Sequence, residues 1–268
     1  MKSIDIIVYA GLCNRLRAIA SGIQLAKELN IPITIYWNKT KDCNCNFNDL
    51  FDIAYTPIKG FRIIENKSII HKISEKKNFF FPRLLQTFIY DQIFYDFCWW
   101  PNNDIFPLLK FKNKILFQNC QSICKYDEMN PWLIPNQRLQ KQINAITDLF
   151  SDNTVGLHIR GTDHKVAKQN STLEKFIYYI DSEINKRSNT KFFLASDEIS
   201  IKNQLEQKYK DRIITNDIEL TRSSKKGMEG AVIDLFCLSK TKFIYGSMNS
   251  TYSMTAAEMG KVKLLVVK

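Results

Sequence analysis

The chain has 268 residues, enough for one large core or two compact domains of ordinary size. With 45% hydrophobic and 12% aromatic residues it has the composition of a folded globular protein, which excludes wholesale disorder. The net charge of +11 favours an acidic partner, but the basic residues lie scattered in short runs such as Lys76-Lys77 and Lys225-Lys226, so a solvated basic surface is expected rather than a nucleic-acid groove.

The seven cysteines (13, 43, 45, 98, 120, 124 and 237) form no CxxC pair, and only three histidines could join them, so no zinc site is expected. Met1 to Cys13 carries Asp5 within its apolar run and lacks a cleavage site, which reads as a first strand and not as a signal peptide. No apolar run is long enough to span a bilayer. These features imply a cytoplasmic protein with reduced thiols.

In chain order, Ile4 to Tyr9 reads as a buried strand ended by Ala10-Gly11. Leu12, Leu16, Ile19, Ala20, Ile23 and Leu29 then fall on one helical stripe. Asn14, Arg15 and Arg17 stand at the start of that helix, where free amides and the positive dipole end favour an anion. Asn30-Ile31-Pro32 closes the helix, and Ile33 to Trp37 is a second strand. This βαβ opening is common in nucleotide-handling α/β domains, although no GxGxxG fingerprint is present. Cys43 to Phe51 reads as a loop tied down by Phe47, Leu50 and Phe51. From Phe79 to Phe106 the chain is unusually aromatic, which fits a packed core segment, an acceptor-binding wall or an interfacial element touching membrane. Asp91, Gln92 and Asp96 exclude a transmembrane helix there.

A helix over Asn136 to Phe150 is followed by a boundary near Leu149 to Asn153, dividing the chain into domains 1–150 and 151–268. Strand Thr154 to Ile159 leads to a helix over Thr172 to Arg187, with Ser171 and Glu174 as a capping box. Strand Lys191 to Ala195, a helix to about Lys210, a short strand Arg212 to Thr215 and a helix from about Met228 to Ser239 follow. Strand Phe243 to Gly246, helix Thr251 to Gly260 and strand Val262 to Val267 end the chain. The alternation predicts a doubly wound parallel sheet with ligand loops at the strands' carboxyl ends.

His158, Arg160, Asp197 and Ser247 to Ser250 all fall at such ends. His158 and Arg160 are two apart on a strand, so they point the same way, and an imidazole beside a guanidinium suits an anionic ligand. They fit equally well a surface arginine paired with Asp163 beside a half-buried histidine. Between strand and helix, Ser250, Thr251 and nearby amides can cradle a phosphate or simply cap the helix. Asp234 lies inside an apolar helix, where a carboxylate is costly unless it is paired or used. One such use is reading the adjacent N1–H and N2–H donors of guanine.

These residues carry a resemblance. Gly11-Leu-Cys-Asn-Arg-Leu-Arg17 resembles the GLGNRLR-type loop of the fucosyltransferase superfamily, which includes peptide O-fucosyltransferases, α1,6-fucosyltransferases and nodulation fucosyltransferases. His158-Ile-Arg-Gly-Thr-Asp163 resembles its HxRRTD motif, and Asp234 to Ser239 with Gly246 to Ser253 resembles its third motif. The three motifs occur in order over nearly the whole chain. The resemblance implies a GT-B-like α/β fold, two Rossmann-like domains facing a cleft. The N-terminal domain would serve the acceptor and the C-terminal one the donor. It implies GDP-fucose as donor with no metal, and a hydroxyl of a glycan or lipid-linked oligosaccharide as acceptor. A bacterial-type enzyme of polysaccharide biosynthesis would fit, with peripheral contact at the inner face of the membrane.

Residue by residue, the resemblance implies that Arg160 holds the β-phosphate and is the principal electrostatic catalyst. His158 and Asp234 would read guanine, and Ser250 with its neighbours Ser247, Asn249 and Thr251 would bind phosphate; Asp197 joins the expected donor site by its place at a strand's carboxyl end. Asn14 and Arg15 would approach the pyrophosphate or fucose. The sequence departs from the family at Gly161, which replaces the second arginine, and at Cys13, which replaces a glycine. Lys168 stands where α1,6 enzymes have an acidic residue, which leaves Asp163, then Glu174 and Glu229, as candidate bases.

Overall fold

The computed structural model describes residues 2–65, 68–99, 104–161, 169–218 and 221–268. The chain divides into two compact units, Met1–Ile134 and Pro135–Lys268.

The first unit opens with β1 (Ser3–Val8), whose Ile4, Ile6, Ile7 and Val8 are all fully buried. Burial of consecutive residues means both strand faces are covered, as in the interior of a parallel sheet. α1 (Leu12–Leu29) follows. It stops where Asn30 turns left-handed at φ 51° and its N–H reaches the carbonyls of Ala26 and Lys27. β2 (Ile33–Trp37) then pairs parallel to β1. Next come β3 (Phe51–Ile53), β4 (Arg62–Glu65), α2 (Phe81–Gln86), β5 (Gln92–Tyr95), β6 (Lys114–Asn119) and β7 (Leu133–Pro135). The main sheet runs β4-β2-β1-β6-β5, all parallel, and β3 and β7 form a separate pair. The aromatic stretch divides in two. Phe94 and Phe97 pack on Phe117 of β6, whereas Phe79, Phe80, Phe81 and Phe88 are exposed.

The second unit contains α3 (Gln137–Thr147), β8 (Thr154–Ile159), α4 (Leu173–Lys186), β9 (Lys191–Ser196), α5 (Ile199–Tyr209) and β10 (Ile213–Thr215). It continues with α6 (Lys225–Ser239), β11 (Phe243–Ser247), α7 (Thr251–Gly260) and β12 (Lys263–Val267). Its parallel sheet is ordered β10-β9-β8-β11-β12, so the strand order reverses between β8 and β11. Alternation along β8 then fixes the site. Val155, Leu157 and Ile159 join the core formed with Phe176 and Ile180 of α4. Gly156 and His158 face the other way, toward α6 and α7: a Cβ on Gly156 would come within 3.1 Å of Leu238, and the His158 ring stacks on Tyr252.

Two expectations shift. The units divide at 134/135, ahead of the boundary at 150/151 read from the sequence. The reason is α3, whose Leu139 and Ile143 are fully buried and which packs on α6, where Arg138 pairs with Glu229. The expected capping box at Ser171 is absent, because α4 begins at Leu173 with Thr172 as its N-cap. The Ser171 hydroxyl instead donates to the Val267 carbonyl at 2.6 Å and accepts from the Met248 N–H at 2.8 Å, tying the last strand to the loop after β11.

Candidate functional site

The carboxyl ends of β8 and β9, together with α6 and the first turn of α7, line a pocket in the second unit. His158, Arg160, Asp197, Arg222, Asp234 and Tyr252 contribute its functional groups. It lies at the strands' carboxyl ends, the side on which doubly wound sheets bind ligands, and reaches Tyr252 beyond the reversal of strand order between β8 and β11.

His158 is buried, and its ring stacks on Tyr252 with centroids 4.9 Å apart. Burial pushes its pKa down to about 4; Asp197 opposes the shift, while Arg160 and Arg222 reinforce it. The imidazole is therefore neutral at ordinary pH, and its Nδ1 is buried without a hydrogen-bond partner in the protein. An orphaned buried nitrogen costs free energy unless a ligand satisfies it.

Asp234 reaches the same pocket from α6. Burial pushes its pKa up to about 6, against the pull of Lys202 and of the Asn216 amide, which donates to the carboxylate at 3.1 Å. Lys202 of α5 is itself only 3% exposed, and its ammonium donates to the Asn216 carbonyl at 2.7 Å. Asn216 is also braced by the Ile218 N–H, which donates to its side-chain oxygen at 3.2 Å. A buried cation, an amide and a buried carboxylate thus form one network under the pocket.

Arg160 follows β8, and its N–H donates to the Ser247 hydroxyl at 3.0 Å, which in turn donates to the His158 carbonyl at 3.2 Å. Ser247, expected to bind phosphate, therefore spends its hydroxyl in lacing β11 to β8. Asp197 accepts from the Gly161 N–H at 2.6 Å and so ties the residue after Arg160 to the end of β9. Gly161, where the family motif has a second arginine, has no room for a side chain, since a Cβ would lie 2.6 Å from the Glu198 Cβ. Ser250 occupies the N-cap position of α7, but its buried hydroxyl makes no capping bond and has no partner. Asn249 before it is left-handed at φ 55°, and Thr251 opens the helix. The Tyr252 hydroxyl ties this first turn to α6 by donating to the Ala231 carbonyl at 2.5 Å.

The remaining candidates fare differently. Asn14 is half-buried in the first turn of α1. Arg15, expected near the pyrophosphate, is fully buried in the first unit. Its guanidinium donates to the carbonyls of Ala10 and Asn38, at 2.8 and 2.6 Å, and to the Thr40 hydroxyl at 2.9 Å, and it lies over the Trp37 ring. Burial lowers its pKa. It is a structural clamp on the loop after β2. Asp163 lies outside the described residues, as does Lys168. Glu174 is exposed and held by Thr172, and Glu229 is paired with Arg138.

The sequence reading missed Lys202, Asn216, Arg222 and Tyr252. One of them left a signal: Lys202, Leu205 and Tyr209 fall on the buried stripe of α5, so a lysine occupied a core position. Among the described residues, no group of three His, Cys, Asp or Glu side chains is arranged to hold a metal. No described helix is long and apolar enough to cross a membrane.

The fold is that of the GT-B-like fucosyltransferases. The chain superposes on NodZ alpha-1,6-fucosyltransferase co-crystallised with GDP with a TM-score of 0.65 at 16% identity, covering 96% of this chain and 92% of that one. The NodZ structure from Bradyrhizobium gives 0.63 at 17%, covering 96% and 92%. An Arabidopsis thaliana FUT1 variant in complex with GDP gives 0.64 at 12%, covering 99% of this chain and 70% of that one. POFUT1 in complex with GDP gives 0.60 at 11%, covering 99% and 98%. No protein-family model matches the sequence, and no curated protein sequence matches it.

Proposed function

We propose that this chain is an inverting fucosyltransferase that moves fucose from GDP-fucose to a hydroxyl of a glycan or lipid-linked oligosaccharide, without a metal ion. One observation carries the reading: a neutral histidine with an orphaned nitrogen and a buried carboxylate share a single pocket with two arginines. Guanine offers two adjacent N–H donors that one carboxylate can accept together, while uracil and cytosine offer no such pair. In this reading Asp234 takes that edge and His158 Nδ1 takes a further base atom. Arg160 and Arg222 face the diphosphate, with the Ser250 hydroxyl and the first amides of α7 completing the anion site. Arg222 then supplies the second cation that Gly161 cannot. The GDP complexes of NodZ and POFUT1 support a guanine nucleotide as ligand.

The leaving group is a diphosphate, so stabilising its developing charge is the main catalytic demand. The acceptor hydroxyl attacks the anomeric carbon from the face opposite the diphosphate, forming one C–O bond as the other breaks. The acceptor's proton passes to a base, for which Asp163 is the candidate. Attack from that face inverts the carbon. The second unit serves the donor, and the first unit, through Asn14, serves the acceptor and sugar side. A cytoplasmic location at the inner face of the membrane belongs to the same reading.

Calorimetric titration with GDP, UDP and GDP-fucose, with chelator present throughout, tests the proposal. GDP and GDP-fucose are expected to bind and UDP to fail. Arg160→Ala should leave the fold intact and lower kcat by at least about a hundredfold, the effect of losing one donor to the leaving group. Absence of guanine-nucleotide binding would end the reading. A second reading, a GDP-binding protein without transferase activity, is favoured by the missing arginine at Gly161; GDP binding with no turnover of any GDP-sugar would select it.

A further inference from the structure

We infer that the first unit docks on an anionic lipid bilayer through the aromatic surface built from residues 79–89 and 106–112. This deepens the peripheral-membrane part of the proposed function and is independent of the donor chemistry. Phe79, Phe88 and Phe111 are 93%, 81% and 85% exposed, and Leu84 and Leu108 stand out beside them. A soluble surface tolerates scattered apolar side chains, but large side chains this exposed along two short segments mark a contact.

The two segments meet at one place. β5 and β6 are parallel neighbours, and the Asp91 carboxylate accepts the backbone N–H groups of Asn113 and Lys114, both at 2.9 Å. The chain entering β5 and the chain entering β6 therefore lie side by side at the amino ends of these strands.

The backbone adds a second observation. Phe79, Phe80 and Phe111 are all left-handed, at φ 51°, 54° and 66°. Such a conformation is unfavourable for a bulky side chain and persists where something else compensates. Here the N–H groups of Phe79 and Phe80, donating to the carbonyls of Lys76 and Glu75 at 3.1 and 3.2 Å, hold the turn that sends these rings outward into solvent.

Charge chooses the occupant. Lys76, Lys77, Arg83 and Lys110 are exposed in these segments, Lys77 pairing with Glu75 at 2.8 Å, and Arg83 lies over Phe80 while Lys110 lies over Phe111. A second copy of the chain would bring these cations against their own kind. The exposed side chains around the rings are mainly Leu84, Leu108 and cations, with Thr87 polar among them, an apolar and cationic setting more than a sugar platform. Exposed aromatics with interleaved cations match the interface of a negatively charged bilayer, where rings enter the headgroup region and lysines stay at its surface.

The test is cosedimentation of the full chain with phosphatidylcholine vesicles, with and without phosphatidylglycerol, at about 0.15 M salt. The protein is expected to pellet with the phosphatidylglycerol vesicles and to stay in solution with pure phosphatidylcholine. The triple variant Phe79→Ser, Phe88→Ser, Phe111→Ser should bind at least about a hundredfold more weakly, since each buried ring contributes roughly a factor of ten. Lys76→Glu with Lys77→Glu should weaken binding roughly tenfold or more. GDP titration of the same preparations shows that the variants are folded and reads the donor site separately. Failure of the native chain to bind phosphatidylglycerol vesicles even at low salt overturns the inference, as does undiminished binding by the triple variant. Self-association of the native chain in sedimentation velocity, abolished in the triple variant, overturns it in favour of a second copy.

Discussion

His158 and Asp234 share a pocket, and burial keeps each toward its neutral form, yet their effects on stability with pH oppose one another. The folded pKa of His158 is about 4 against an ordinary 6.5, so between those values the unfolded chain holds more protons and stability rises with pH. Asp234 has a folded pKa of about 6 against an ordinary 3.8, so in that window the folded chain holds more protons and stability falls as pH rises. Each shift corresponds to roughly 3 kcal/mol, and between about pH 4 and pH 6 the two offset. Removing one should uncover the other. His158→Asn is expected to lose stability from about pH 4 to pH 6, and Asp234→Asn to gain it from about pH 4 to pH 6.5. Urea midpoints across that range check both slopes, and flat profiles in both variants would contradict the burial of this pair. At Arg15 the expected effect is on stability alone. With three buried charged donors lost, Arg15→Ala should cost roughly 3 kcal/mol or more. Its GDP affinity should stay near wild type; a large loss of affinity at unchanged stability would return Arg15 to the ligand.

At the scale of elements, α6 both walls the pocket with Asp234 and supports the loop that carries Arg222. Gly227 makes that support close: a Cβ there would lie 1.6 Å from the Thr221 carbonyl oxygen, so the backbone must move to admit one. The Gly227 N–H meanwhile donates to the capping hydroxyl of Ser224 at 3.0 Å, which holds the helix start in place. Gly227→Ala is therefore expected to displace Thr221 and Arg222 and to weaken GDP binding at least about tenfold, the loss of one charge-assisted contact. Calorimetry on the variant decides it, and unchanged affinity would remove this loop from the donor site.

Elements also explain what the sequence made legible. In the second unit, strands and helices alternate with clear apolar periods, and strand β8 and helix α7 lie where their patterns placed them. In the first unit, β4, β5 and β6 escaped notice. β4 is a half-exposed edge, β5 lies in an aromatic run that hides any alternation, and β6 is buried at nearly every position. The site shows the same division. His158, Arg160 and Asp234 stood out because polar groups interrupted apolar elements, whereas Asn216, Arg222 and Tyr252 are ordinary surface types until the fold brings them to the pocket. Arg15 misled because a cation at a helix start suggests an anion, while its side chain turns back to the Asn38–Thr40 loop.

For the whole molecule, the proposed division of labour rests on where the cores lie. The second unit has its own parallel sheet and its own core, from Val155 and Phe176 to Leu205 and Val267. Every described residue lining the pocket proposed for the donor belongs to that unit. A segment of this size with a separate core can fold alone. Residues 135–268 expressed separately are therefore expected to unfold cooperatively and to bind GDP within about tenfold of the full chain, while transferring no sugar. The comparison separates two kinds of contribution from the first unit. If it serves only the acceptor and the fucose, GDP affinity survives its removal and turnover does not. If GDP affinity instead collapses in a segment that still unfolds cooperatively, the nucleotide itself must touch the first unit. Asn14, half-buried at the start of α1, would then be the first residue to replace.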